Sequence, residues 1–520
     1  DVMVFVGLER FLRQKQREEI QAALADQGVD ISTGEVSKLA HKLVDYLCRL
    51  HRARAGELRA VLEGDGGWPM HVDATGEAGR GTVLVVMAGW RGWVLGSWKI
   101  ATERADLILP CLRQTVQRFG PPCAAMRDLG KAMTPALGAL VSELELDIPV
   151  LACHQHFLAD VGKDLLEPAH GELRGLFQRA KVRPKLRELV RQIGREIGQD
   201  IDAARQAVLD WQSLVEAEHR IDPGRDGMAT VRALAQWVLD YKAQATGLDF
   251  PFDHPYLDLY DRSNTALRAI DAFLRTEPAD KKVTRLLRRL HRYLEPVASE
   301  VPFRQVAQRL RRRAALFDEL RAVLRVVATL PEDETLADLE QMHDQLDQLV
   351  ASLEERRPAR GPAQDTREAI DLILEHIDTH GDNLWGHAIR LPDSAGGGIR
   401  LVSRTNNLSE SFFGELKHDE RRRSGFKNLG HVLEHMPAEA PLVRNLLRDD
   451  DVATVCGSLD DLPAADKVVS IFEPHTDIIV KDRRQTLYGH KLCLTTGTSG
   501  LITDCIVLDG NPADSTLAVE

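Results

Sequence analysis

The sequence has no paired CxxC, no run of about 18 apolar residues and no signal-peptide pattern. The first absence removes the strongest zinc signature, the second a membrane span, the third a visible export signal. Cysteine is sparse: seven, an odd number, scattered over 520 residues. That usage does not make a disulfide framework and fits a reducing cytoplasm. Positive charge is also in deficit. A formal net charge of −12 argues against non-specific nucleic-acid binding by the chain as a whole, so any such binding must come from local charge, which is uneven. With 43% hydrophobic and 28% charged residues, the length allows two to four domains. The chain opens on Asp1 rather than Met and stops at Glu520 without a clear terminus, so a fragment at both ends is expected.

The stretch from Met70 to Glu77 reads as a short strand presenting one carboxylate, Asp73. Two apolar runs follow, Gly81 to Ala88 and Gly92 to Ile100, separated by glycine turns, which predicts a three-stranded meander. Thr102 to Phe119 has helical spacing and ends at Gly120-Pro121-Pro122. Cys123 to Asp128 is a strand ending in a second acid, Met133 to Leu144 a helix, Ile148 to Cys153 a strand, and Phe157 to Leu166 the start of another helix. The order β-β-β-α-β-α-β-α predicts an α/β, ribonuclease-H-like core. There the ends of the first and fourth strands lie side by side, so Asp73 and Asp128 become neighbours. Adjacent carboxylates repel unless a cation sits between them, and a pair of hard divalent cations is machinery for phosphoryl transfer.

Around this core the organisation is helical. Glu9 to Asp26 predicts an amphipathic helix, Gln27 to Ile31 a turn, and Ser32 or Thr33 a cap for a second helix through Val36, Leu39, Leu43, Leu47 and Leu50. Two readings of residues 1–62 stay open: a helix-turn-helix, or a plain helical hairpin packed on its neighbour. The first part of the core is set at 63–169 and an all-helical insertion at 170–385. The insertion carries basic stretches at Arg174–Arg195 and Lys281–Arg313; these are either solvated faces or a track for a phosphate backbone. Leu339, Met342, Leu346, Leu349 and Leu353 predict a helix paired within the insertion, and Arg356 to Gln364 a linker. The core resumes at 386–461. Asn406 or Asn407 would cap a helix whose apolar face is Leu408, Phe412, Phe413 and Leu416, with Glu410 on an adjoining face. Lys417, Arg421, Arg422, Arg423 and Lys427 follow, suited to holding phosphates.

Four blocks in this order resemble DDE transposases of the Mutator-like and hAT-like kind, in their bacterial insertion-sequence relatives. They are His71-Val72-Asp73-Ala74-Thr75, Arg127-Asp128-Leu129-Gly130, Cys153-His154-Gln155-His156, and Thr405 to Lys417 continuing to Arg423-Ser424-Gly425-Phe426. The resemblance covers roughly 30–460. It implies that Asp73, Asp128 and Glu410 form a triad holding two Mg²⁺ or Mn²⁺ ions. It further implies a polynucleotidyl transferase acting on double-stranded DNA, at the element's terminal repeats and in the target. The protein would be a homo-oligomer when assembled on DNA, in the bacterial cytoplasm at the nucleoid. Cys153 and His156 match a family motif whose role is to orient the active site or the DNA strand; buried core packing is the competing reading, and a zinc pair lacks two further ligands. A metal-dependent nuclease on the same core, or a DNA-binding protein that has lost cutting, are the alternatives. Residues 462–520 resemble the opening of an ISNCY-type transposase domain of two or three strands, with Asp504 a possible acid and a join near Leu462-Pro463; a β-rich extension of the main domain is the other reading.

Overall fold

The computed structural model describes residues 2–76, 80–197, 227–243, 249–275, 280–326, 334–359, 363–426 and 428–457, together with the backbone of four strands beyond residue 476. The chain divides into two compact units, Asp1–Leu151 with His387–Glu520, and Ala152–Gly386.

The first unit is a helix-covered sheet. Its N-terminal helices are α1 (Val2–Gly7), α2 (Arg17–Ala25), α3 (Thr33–Ala53) and α4 (Ala55–Gly64). A π-type turn at Leu8–Leu12 follows α1, so the single helix expected over 9–26 is broken. Ser32 caps α3, its side chain accepting from the Glu35 N–H while the Glu35 carboxylate accepts from the Ser32 N–H. The face Val36, Leu39, Leu43, Leu47 and Leu50 is buried in one hydrophobic core with the sheet. Residues 1–62 thus pack as part of that core.

The strands are β1 (Pro69–Gly76), β2 (Thr82–Ala88) and β3 (Trp93–Ile100), then α5 (Ala105–Phe119), β4 (Ala124–Arg127), α6 (Met133–Glu143) and β5 (Val150–Ala152). They form one mixed sheet in the order β3-β2-β1-β4-β5. β1–β2 and β2–β3 are antiparallel; β1–β4 is parallel, with Pro69, Met70 and His71 opposite Ala124, Ala125 and Met126. Every residue of β2 is buried, as an apolar strand covered on both faces must be. The β2–β3 turn needs a residue at φ +69, which Gly92 supplies without strain.

After His387 the unit continues with a short hairpin, β6 (Ala388–Arg390) and β7 (Ile399–Leu401), and four helices. These are α15 (Asn407–Ser424), α16 (Leu429–His435), α17 (Ala440–Arg448) and α18 (Asp450–Cys456); the labels α7 to α14 belong to the other unit. Phe412, Phe413 and Leu416 of α15 enter the sheet's core, but Leu408, expected on that face, is 36% exposed. Beyond residue 476 the backbone forms two hairpins, Asp477–Lys481 with Gln485–Gly489 and Lys491–Thr496 with Ile502–Leu508: four strands where two or three were expected.

The second unit is helical throughout its described residues. It comprises α7 (His154–Ala180), α8 (Val182–Ile197), α9 (Gly227–Leu239), α10 (Pro255–Arg275), α11 (Lys281–Ser299), α12 (Val301–Leu324), α13 (Leu336–Arg356) and α14 (Gln364–His380). Its boundary falls at Ala152, not 170, because α7 runs unbroken across that position. Leu339, Met342, Leu346 and Leu353 are the buried stripe of α13, which packs on α12. The basic run is divided between two helices. On α12, Arg309, Arg311 and Arg313 pair with Glu172, Asp261 and Asp365; on α11, Lys282 pairs with Glu196 at 2.7 Å. Lys281, Arg285, Arg288 and Arg292 stay exposed on α11, spaced i, i+4, i+7, i+11 along one stripe.

Candidate active site

Asp73 sits on β1, and Asp128 is the residue after β4. The β1–β4 register stops at His71 opposite Met126, and the same offset carried two residues on sets Asp73 against Asp128. Neighbouring strands lie about 4.8 Å apart where they are paired, and that pairing ends two residues before both acids. Asp73 is 8% exposed and takes the Ala74 N–H at 2.7 Å; Asp128 takes the Gly130 N–H at 3.1 Å, which closes the turn leaving β4.

The third candidate acid, Glu410, lies on α15, far along the chain. Asn406 stands at the N-cap position of α15, yet its side chain makes no cap hydrogen bond. It is spent on β1 instead: Nδ2 donates to Val72 O at 3.3 Å, and Oδ1 lies 3.0 Å from His71 Nδ1 and 3.1 Å from Ser409 Oγ. The carbonyl of Val72 only accepts, so the amide nitrogen must face it and the amide oxygen faces His71. The neutral His71 ring therefore carries its proton on Nδ1. Burial holds this imidazole neutral, its pKa pushed down to about 4. A local cap was expected; a link joining positions 335 apart in sequence was found.

Asn406, Glu410, Phe413 and Lys417 are spaced i, i+4, i+7, i+11, one stripe of α15. Its first member is tied to Val72. Its last, Lys417, lies over the Phe413 ring at 5.8 Å and feels the Asp73 carboxylate, while partial burial lowers the pKa of its ammonium. Helix side chains lean toward the N-terminus, which lets Lys417 reach back along the stripe. Glu410 lies between two residues that both address β1. Among the described residues, though, no three His, Cys, Asp or Glu side chains stand as a group able to hold a metal ion, so the three carboxylates are not closed into one. As a donor set, three carboxylates are the hard oxygen ligands that Mg²⁺ and Mn²⁺ take.

The basic residues after Glu410 divide. Arg421 and Arg422 are exposed on α15. Arg423, expected to hold phosphate at the surface, is 6% exposed, ion-paired with Glu420 and lying over Phe11 at 4.5 Å. The helical period turns it into the core, where cation–π contact and an ion pair compensate its burial. Lys427 lies outside the described residues. Cys153 and His156 belong to the helical unit: Cys153 is fully buried at the N-cap of α7, and His156 is half-buried. Their neighbour His154 is fully buried, its Nε2 2.8 Å from Leu384 O.

Two contributors had no assigned role in the sequence, and a third had a different one: His71 lay inside a recognised motif without a partner, and Asn406 was expected as a helix cap. Glu103, between β3 and α5, has its carboxyl pushed up first by partial burial and then by the charge of Asp128, so a fourth acid stands near. Nothing local marks it. No family model, curated protein or solved structure matches the chain.

Proposed function

We propose that the chain is a DDE-type DNA transposase that cleaves and joins phosphodiesters at the ends of an insertion sequence. The observation that carries this reading is the parallel β1–β4 pairing, whose register, Pro69 to His71 opposite Ala124 to Met126, would set Asp73 against Asp128 if carried two residues on. The strand order β3-β2-β1-β4-β5, with β4 parallel to β1, is that expected of a ribonuclease-H-like core and supports that fold. Asp73, Asp128 and Glu410 would hold the Mg²⁺ or Mn²⁺ ions, whose Lewis acidity, when bound, makes water or a 3′-hydroxyl nucleophilic. The chain's own residues do the rest. Lys417, Arg421 and Arg422 attract and steady DNA phosphates, and the Asn406–His71 link fixes where the Glu410 helix starts.

A second reading is a DNA-binding protein without cutting. It is favoured by the ammonium of Lys417, which already lies in the field of Asp73. The experiment uses labelled duplexes of the inverted repeats that bracket the gene, with Mg²⁺ or Mn²⁺. Nicking that disappears in Asp73→Ala while binding persists supports the transposase. Binding by the intact chain with no nicking in either metal rejects it in favour of the second reading.

A further inference from the structure

Between α2, α3 and the end of α15 lies a cavity of about 470 Å³, lined in part by Arg10, Arg17, Arg423, Phe426 and His435. Its charge is unbalanced. Arg10 Nη1 donates only to backbone carbonyls, Lys15 O and Arg423 O, each at 3.1 Å. Among the described residues no carboxylate lies within ion-pair distance of Arg10 or Arg17. Two acids do line the cavity, Glu18 and Glu420, but Glu420 is committed to Arg423. The guanidinium groups pay for their proximity. The pKa of Arg10 is pushed down to about 10 by burial and then by the charge of Arg17, with Glu18 opposing; that of Arg423 is pushed down to about 9 by burial and then by Arg10, with Asp419 opposing. A bound anion relieves both effects. The volume is far larger than an inorganic phosphate needs and lies in the range of small-molecule sites. Phe426 and His435, packed on each other with ring centroids 4.8 Å apart, give the cavity an aromatic wall of the kind a base packs on.

We propose that this cavity binds a nucleotide-sized phosphomonoester, its phosphate on Arg10 and Arg17 and its base against Phe426 and His435. Two sources share that chemistry: a free nucleoside monophosphate, and the 5′-phosphorylated end of a DNA strand. Titration calorimetry on the full chain tests it with adenosine monophosphate, inorganic phosphate, and a short single strand with and without its 5′-phosphate. Saturable binding of adenosine monophosphate, weakened at least about tenfold in Arg17→Gln and in Arg10→Gln, is expected. Arg17 is exposed, so its variant keeps the packing even if Arg10→Gln does not fold. Binding of the phosphorylated strand alone assigns the site to strand ends. The idea is overturned if no phosphate compound saturates, if the strand binds equally without its phosphate, or if Arg17→Gln binds as tightly as the parent chain. Asp73→Ala should bind adenosine monophosphate unchanged, so a failure of the transposase reading stays separable from a failure here.

Discussion

In the sheet unit the decisive polar groups are buried and hydrogen-bonded across long stretches of chain. In the helical unit most of the ion pairs between helices are exposed, although His154 is buried against Leu384 O. Asn406 joins α15 to β1 with three hydrogen-bond partners, two of them on β1, and the ring it meets, His71, is 1% exposed. Arg311 and Lys282 meet Asp261 and Glu196 with their side chains about half exposed. A buried donor that loses its partner pays the full desolvation penalty, whereas an exposed ion pair gives back little more than it took. The same kinds of side chain should therefore matter very differently in the two units.

The sharpest test lies at the acids. On the proposed function, Asp73→Ala should lower nicking at least about 10³-fold, the few kcal/mol that a group stabilising transition-state charge supplies. Its unfolding midpoint should change far less than its activity.

Acid should act next, and on the sheet unit. His51 and His71 are both buried, with pKa values pushed down to about 4 by burial; the nearby charges of Arg118 and Arg52 add to the effect at His51. Both rings are neutral when folded and take up protons when unfolded below about pH 6.5. Stability is thus fully present above that pH and falls as pH drops toward about 4, by several kcal/mol at roughly 1.4 kcal/mol per pKa unit. Urea titrations across this range check it, and a flat profile would refute the buried neutral rings.

Asn406→Ala should cost about 3 kcal/mol, since His71 and Val72 O lose a partner inside the core. The measurement is the urea midpoint, with nicking falling alongside because the Glu410 helix loses its anchor. Gly89→Ala should cost about 1–3 kcal/mol. A Cβ there would overlap the His71 ring, which is buried and has no room to retreat. At the bottom of the scale, Lys282→Gln on α11 should change stability by less than about 1 kcal/mol. If Lys282→Gln cost as much as Asn406→Ala, the contrast between the units would collapse.

Much of this layout is legible in periodicity. Alternating and continuous apolar runs locate β1, β2 and β3, and leucines at helical spacing mark the second unit. Both patterns report a local fact, which face of an element is apolar. Boundaries were less legible. The stretch expected as one helix over 9–26 is broken after the π-type turn, and α7 runs through the position where a domain join was set.

What the sequence by itself determined is the type and order of elements in the core, with Asp73 carried on β1 and Asp128 just past β4, because side-chain period and turn residues act within a few positions. What only the tertiary structure decided is whom each polar group meets. Asn406 turns from a helix cap into a clamp on β1, Arg423 goes from a phosphate-binding surface into the core, and Glu103 joins the neighbourhood of Asp128. Those outcomes depend on strand register and helix docking between segments hundreds of residues apart. A buried hydrogen bond is chosen by what lies opposite when the chain closes, and that is not written in either segment alone.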